Sequence, residues 1–182
     1  MSFLFRSFLF SIAMLGIPAI DITRLFMSRE LVLGRGLAML AAWALLNLVG
    51  SGYYLARSDR RHEPFYFHGM NVSWGLINAG LAAWGILRLH FVPPTGLTAA
   101  ELFQTQLFNE NLFLLNAGLD VAYIMTGYYL RARALVPGQA LPVRLLGFGR
   151  SLWVQGGFLL VFDATMWSLL HWMGRDWFRL LG

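Results

Sequence analysis

The stretch MNVSWGLINAGLAAWGILRL, Met70–Leu89, decides the fold class. An α-helix needs about 20 largely apolar residues to cross ~30 Å of hydrocarbon at 1.5 Å per residue. This stretch has that length, carries no acid, and places its cation, Arg88, at the far end. It is not uniformly apolar. Asn71, Gly75 and Asn78, with His68 just ahead, share a face ~80° wide when each residue turns the helix by about 100°. Such a helix suits lipid around most of its circumference and other helices along one stripe.

Three further stretches repeat the pattern: Gly36–Tyr54, Leu112–Leu130 and Leu152–Met173. The first ends in Gly50-Ser51-Gly52 and Tyr53-Tyr54. Charged residues and Arg57–Pro64 separate the first two, Pro93-Pro94 follows the second, and Arg131–Gly149, with Pro137-Gly138 and Pro142, separates the last two. Composition agrees. Of 182 residues, 58% are hydrophobic, 15% aromatic and only 13% charged, against ~45–50% apolar and ~25% charged in a soluble domain. Mean hydropathy is +0.59. Seven Trp and fifteen Phe have no place inside so lightly charged a soluble monomer.

The expected architecture is therefore all-α: a polytopic membrane four-helix bundle within residues 31–182, with spans at about 36–54, 70–89, 112–130 and 152–173, and the lipid bilayer as its first partner. Residues 1–30 are set apart as a hydrophobic or interfacial helix. Within them Ser7–Ile20 is apolar but short for a span and is interrupted by Gly16 and Pro18. A retained membrane-embedded helix is the preferred reading, ahead of an in-plane helix and of a cleaved signal, for which no small-residue cleavage site follows.

All fourteen cationic residues are arginine, and the net charge is +5. In a soluble protein that balance would point to nucleic acid; here the arginines flank apolar runs, where they anchor helix ends and set topology. Nucleic acid is not an expected partner. The absence of cysteine removes disulfides, thiolate metal sites and cysteine nucleophiles. Arg57, Arg60, Arg61, Arg131, Arg133, Arg144 and Arg150 lie in the first-to-second and third-to-fourth connections. Arg24, Arg29, Arg35, Arg88, Arg175 and Arg179 lie on the other side. The denser set favours those two connections as cytoplasmic. Gly52-Tyr53-Tyr54-Leu55 and Gly127-Tyr128-Tyr129-Leu130 echo each other, as a duplicated hairpin or as chance likeness of aromatic helix ends.

Polar residues inside the spans are the candidates for function. Asn109, Asn116, Asp120, Tyr123 and Gly127 form a stripe ~60° wide on the third. Gly36, Trp43, Asn47, Gly50 and Tyr54 align on the first; Gly149, Gly156, Asp163 and Trp167 align on the fourth, with Gln155 to one side. Four such faces converge inward, because hydrocarbon penalises unpaired polar groups. Asn47, His68, Asn71, Tyr123 and Gln155 fall in the half of the bundle nearer the arginine-rich loops, and Asn78, Asp120 and Asp163 near its middle. Asparagines commonly do no more than hydrogen-bond between membrane helices. A carboxylate at that depth costs roughly 2.5–3.5 kcal/mol even on a mild scale, which makes Asp120 and Asp163 the stronger functional candidates. They are expected to be neighbours. Glu101 and Glu110 are read as helix-start acids facing water.

Other chemistries are poorly supported. His90 and His171 could in geometry hold a haem, with nothing further to recommend it. No zinc spacing occurs, and no nucleotide loop or hydrolase elbow is present. Trp43, Trp74 and Trp84 could line a lipid, quinone or pigment site. No metal or catalytic residue is legible, and the cofactor is unknown.

The run from Phe67 to Asn78, the run from Leu115 to Tyr123, and Gly147-Phe148-Gly149-Arg150-Ser151 leading to Gln155-Gly156-Gly157 and Phe162-Asp163 together resemble a family of small bacterial membrane proteins with no assigned function. The resemblance covers about residues 36–172, including Trp43 and Asn47. It implies a four-helix membrane core and a multi-pass protein of the bacterial inner membrane, and it implies no activity.

Two functions stand open. In one, Asn47, His68, Asn71, Asn78, Asn116, Asp120, Tyr123, Gln155 and Asp163 form a binding or conduction site for a small polar molecule, ion or proton. In the other, the chain is a non-catalytic accessory or assembly subunit of a larger membrane complex, or a homo-oligomer, and the polar core only fixes helix register. An intramembrane enzyme ranks third, because no nucleophile–base pair is legible.

Overall fold

The computed structural model describes residues 22–89, 95–96 and 98–181, without the side chains of residues 99 and 177–181. The apolar segment Ser7–Ile20 and His90 lie outside the described residues. Four helices and no strand are present among those described: α1 (Ile22–Arg57), α2 (Glu63–Arg88), α3 (Ala99–Ala134) and α4 (Pro142–Leu181).

The helices are longer than the apolar runs that announce them. Residues 22–30, set apart in the sequence reading, are continuous with the first long helix, α1. α2 opens at Glu63 with Pro64 in its first turn, where the missing N–H breaks no helical hydrogen bond, so part of the expected break is helix. α3 starts with a capping box. Glu101 N–H donates to Thr98 Oγ1 at 3.3 Å, and Thr98 N–H donates to Glu101 Oε2 at 2.7 Å. Pro142, read as a breaker, opens α4 directly after Leu141, which is held at a left-handed φ of 56°.

Two helices among the described residues, Ile22–Arg57 and Pro142–Asp176, are long and apolar enough to cross a membrane. α2 and α3, with 26 and 36 residues, have the length. Their Asn, Gln, Ser and Gly content lowers their hydropathy.

α4 is the central element, packing against each of the other three helices, and most extensively against α3. Glycines make the α3–α4 approach possible. A Cβ on Gly127 would lie 2.8 Å from the Gly149 carbonyl oxygen, and one on Gly149 2.7 Å from the Gly127 carbonyl oxygen. Further along, Gly156 brings α4 against the Asp120 carbonyl, where a Cβ would sit at 3.1 Å. The main apolar core, Leu40, Ala82, Leu159, Phe162 and Met166, joins α1, α2 and α4. A smaller one, Phe26 with Leu102, joins the far ends of α1 and α3.

Candidate functional site

Polar side chains occupy the bundle interior at three levels. At the level nearer the arginine-rich connections, Gln155 is fully buried and is the hub. Its Oε1 accepts from Trp43 Nε1 at 2.9 Å, and its Nε2 donates to Asn47 Oδ1 at 2.7 Å and to Asn71 Oδ1 at 3.0 Å. Ser151, one turn earlier on α4, donates its hydroxyl to Asn71 Oδ1 at 2.6 Å. One glutamine thus ties α1, α2 and α4 together.

The local fold of α1 serves this hub. Asn47–Ser51 forms a π-helical turn, a widening often found where a helix must re-aim side chains. Asn47 Nδ2 donates to the Trp43 carbonyl at 2.8 Å, the acceptor a regular α-helix reserves for the Asn47 N–H. Asn47 and Ser51, four residues apart, are both buried. Ser51 Oγ lies 3.2 Å from His68 Nδ1, and the half-buried His68 ring stacks on Tyr54 with centroids 5.1 Å apart. At the rim of this end, Glu63 lies between Arg131 and Arg150, at 4.0 and 3.9 Å. These partly exposed pairs contribute little to stability.

At the middle level Asp120 and Asp163 are buried with their carboxyls close to each other, and Asn116 lies beside Asp163. Three polar atoms around this level have no partner among the described residues: Trp74 Nε1, Asn78 Nδ2 and Asp120 Oδ2. The Trp74 and Tyr123 rings are in contact at 5.0 Å. α2 and α3 are antiparallel, so the turn from Trp74 to Asn78 and the turn from Tyr123 to Asp120 run the same way. Asn78 and Asp120 therefore sit at one level.

The third level, at the opposite end, corrects the sequence reading. Glu110, expected to face water, is buried; Gln106 Nε2 donates to its Oε1 at 3.0 Å and His171 Nδ1 lies 3.1 Å from its Oε2. Gly174 makes room for the Glu110 carboxylate, which a Cβ there would strike. Gln106, fully buried, also donates to the Leu170 carbonyl at 2.6 Å. Arg29, read as a flanking charge, is buried on the same end, paired with Glu30 at 3.1 Å and donating to the Leu102 carbonyl at 3.2 Å. His171 is thus engaged by a glutamate.

Of the residues singled out in sequence, Asn47, Asn71, Asn78, Asp120, Gln155 and Asp163 are buried; His68, Asn116 and Tyr123 are half-buried. They divide between a hub (Asn47, Asn71, Gln155) and the acid level (Asn78, Asn116, Asp120, Asp163), with His68 and Tyr123 at the margins. Gln155, placed to one side of its stripe, is the centre of its network. Ser51, Ser151 and Gln106 were missed. Ser151 had a signal in its one-turn spacing from Gln155. Gln106 and Glu110, spaced i and i+4, had one too, outside the expected span. Among the described residues no group of three or more His, Cys, Asp or Glu is placed to hold a metal.

A family model described as a family of unknown function (DUF6992) matches residues 39–164. The chain belongs to this family. The DUF6992 match takes in the hub and the acid level completely. At the opposite end it includes Gln106 and Glu110 and leaves out Arg29, Glu30 and His171. Comparisons with curated proteins and with solved structures gave no match.

Proposed function

We propose that the chain is a four-span, multi-pass protein of the bacterial inner membrane, and that its acid level is a binding or conduction site for a small polar molecule, ion or proton. The observation that carries the membrane reading is an inverted distribution of polarity. Gln155, Asn78 and Asp120 are 0–2% exposed, while Leu87, Val49 and Val161 are 84%, 72% and 69% exposed. Water would reverse that order, because exposed apolar surface costs about 25 cal/mol per Å². Hydrocarbon favours it, since unpaired polar groups there cost several kcal/mol. α2 and α3 then span as members of a bundle, with their polar stripes turned inward.

The site reading rests on the difference between the two polar levels. The hub is saturated by direct side-chain contacts. The acid level keeps a carboxyl pair and unpartnered donors and acceptor in the interior. Each buried unpartnered group costs ~1–3 kcal/mol in a structural role, so structural glue alone accounts poorly for it. Asp120→Asn keeps shape and removes a titratable group. The expected outcome is a mutant as stable in detergent as the parent that has lost binding or uptake in proteoliposomes across a panel of ions and metabolites.

The saturated hub supports a second reading, an accessory or assembly subunit in which polar residues only set register. Under it Asp120→Asn is silent, and the protein co-purifies with a larger membrane complex.

A further inference from the structure

Resting on the site reading above, we infer that the acid level accepts a small uncharged solute bearing both a hydrogen-bond donor and an acceptor, a hydroxyl or amide compound, in preference to a metal cation. The argument is an inventory of unpartnered atoms. Trp74 Nε1 is an indole N–H, a donor in every orientation and never an acceptor. It cannot join a cation's coordination shell, which hard cations fill with oxygens. The Asn78 carboxamide offers its Nδ2 donor at the same level as Asp120, whose Oδ2 is an acceptor. A bare cation satisfies Asp120 and leaves both donors unanswered. An anion satisfies the donors and offers no hydrogen to the Asp120 acceptor. A neutral molecule with a lone pair for the indole and carboxamide and an O–H or N–H for Asp120 answers all three.

The setting fits the same class. Asp163 lies beside Asp120 and Asn116 beside Asp163, and Asp120 Oδ2 has no hydrogen-bond partner among the described residues. The Trp74 and Tyr123 rings, with centroids 5.0 Å apart, give an apolar wall beside the polar atoms. Trp74 and Asn78 are one turn apart on α2, about 6 Å along the axis, a span that glycerol or urea covers.

Stopped-flow light scattering on proteoliposomes tests this with glycerol and urea as probes, and with sodium, potassium and proton flux followed by ion-sensitive dyes in the same vesicles. The expected result is entry of glycerol or urea above protein-free vesicles. Trp74→Phe, which keeps an aromatic side chain and removes the N–H, should lower it about tenfold, the worth of one buried hydrogen bond. Asn78→Leu is the second variant, and circular dichroism with size-exclusion confirms that each is folded. Cation or proton flux that depends on Asp120, without glycerol or urea entry, overturns this inference and leaves the site reading standing. No flux of any probe, with Asp120→Asn fully stable, overturns both. Solute entry unchanged in folded Trp74→Phe and Asn78→Leu also overturns the inference, because the donors then play no part.

Discussion

Gln155→Leu removes the hub without changing the helix. Leucine is close in size and a better helix former than most, so backbone propensity does not contribute. Three interhelical hydrogen bonds disappear: those to Trp43, Asn47 and Asn71, at 2.9, 2.7 and 3.0 Å. Such bonds in membrane proteins average ~0.6 kcal/mol, so the bonds alone come to about 2 kcal/mol. Asn71 keeps its bond from Ser151 at 2.6 Å, whereas Trp43 Nε1 and Asn47 Oδ1 lose the partner on α4. Stranding those two buried groups adds ~1 kcal/mol or more. The expected loss is about 3 kcal/mol, measured by equilibrium unfolding in mixed micelles with circular dichroism as readout. Val154→Leu, on the outward face of the same turn, is the control and should change stability by less than ~0.5 kcal/mol. In a double-mutant cycle, Gln155→Leu and Asn47→Leu should couple by ~0.5–3 kcal/mol, since they share a bond. A Gln155→Leu protein within ~0.5 kcal/mol of the parent would refute the claim that this network holds α1, α2 and α4 in register.

Two glycine substitutions should move stability in opposite directions. Gly127→Ala places a methyl 2.6 Å from Trp153 Cδ1 and 2.8 Å from the Gly149 carbonyl, and should cost ~1–3 kcal/mol by forcing α3 from α4. Gly118→Ala meets no atom within 4 Å and should stabilise α3 by up to ~1 kcal/mol through helix propensity, both by thermal unfolding in detergent. At the start of α3, the backbone and hydroxyl hydrogen bonds from Thr98 hold the Glu101 carboxyl below its ordinary range. A depressed carboxyl stabilises the fold above its unfolded pKa and loses that contribution as pH falls through its folded pKa. Amide-exchange protection in the first turn of α3 should therefore fall at acid pH, and Glu101→Gln should flatten that dependence at a lower level of protection.

How much was legible follows from which physical rule each residue obeys. Asn71 and Asn78 could be placed because a polar residue at helical spacing inside an apolar run can face only inward, and both are buried. The closeness of Asp120 and Asp163 was legible for the same reason, helped by the single connection that joins their helices. Gln155 was assigned to the margin because a straight 100° rotation ignores side-chain length; its long amide reaches across to Asn47 on α1 and Asn71 on α2. The π-helical turn at Asn47–Ser51, where Asn47 Nδ2 donates to the Trp43 carbonyl, was invisible because hydrophobic periodicity assumes a regular 100° rotation. Glu110 and Arg29 were misplaced because they lie beyond the apolar windows, and a charge outside a window reads as solvated. α1 and α3 continue as helix through those windows' edges. They carry Arg29 and Glu110 into contacts with the Leu102 carbonyl and His171. Helix ends were underestimated wherever a cap replaced hydrophobicity as the signal, as at Thr98 and Glu101.

The central claim is that all four helices cross the membrane with their polar faces inward, and it is tested hardest at α2 and α3, which are not among the two helices long and apolar enough to cross by themselves. The chain contains no cysteine, so single-cysteine variants report cleanly. Asp59→Cys and Gln139→Cys lie in the α1–α2 and α3–α4 connections, and Gly96→Cys lies between α2 and α3. With a membrane-impermeant maleimide applied to cells and to inverted vesicles, the account predicts that positions 59 and 139 label from one side and position 96 from the other. Labelling of positions 59 and 96 from the same side would show that α2 does not cross, and would contradict it.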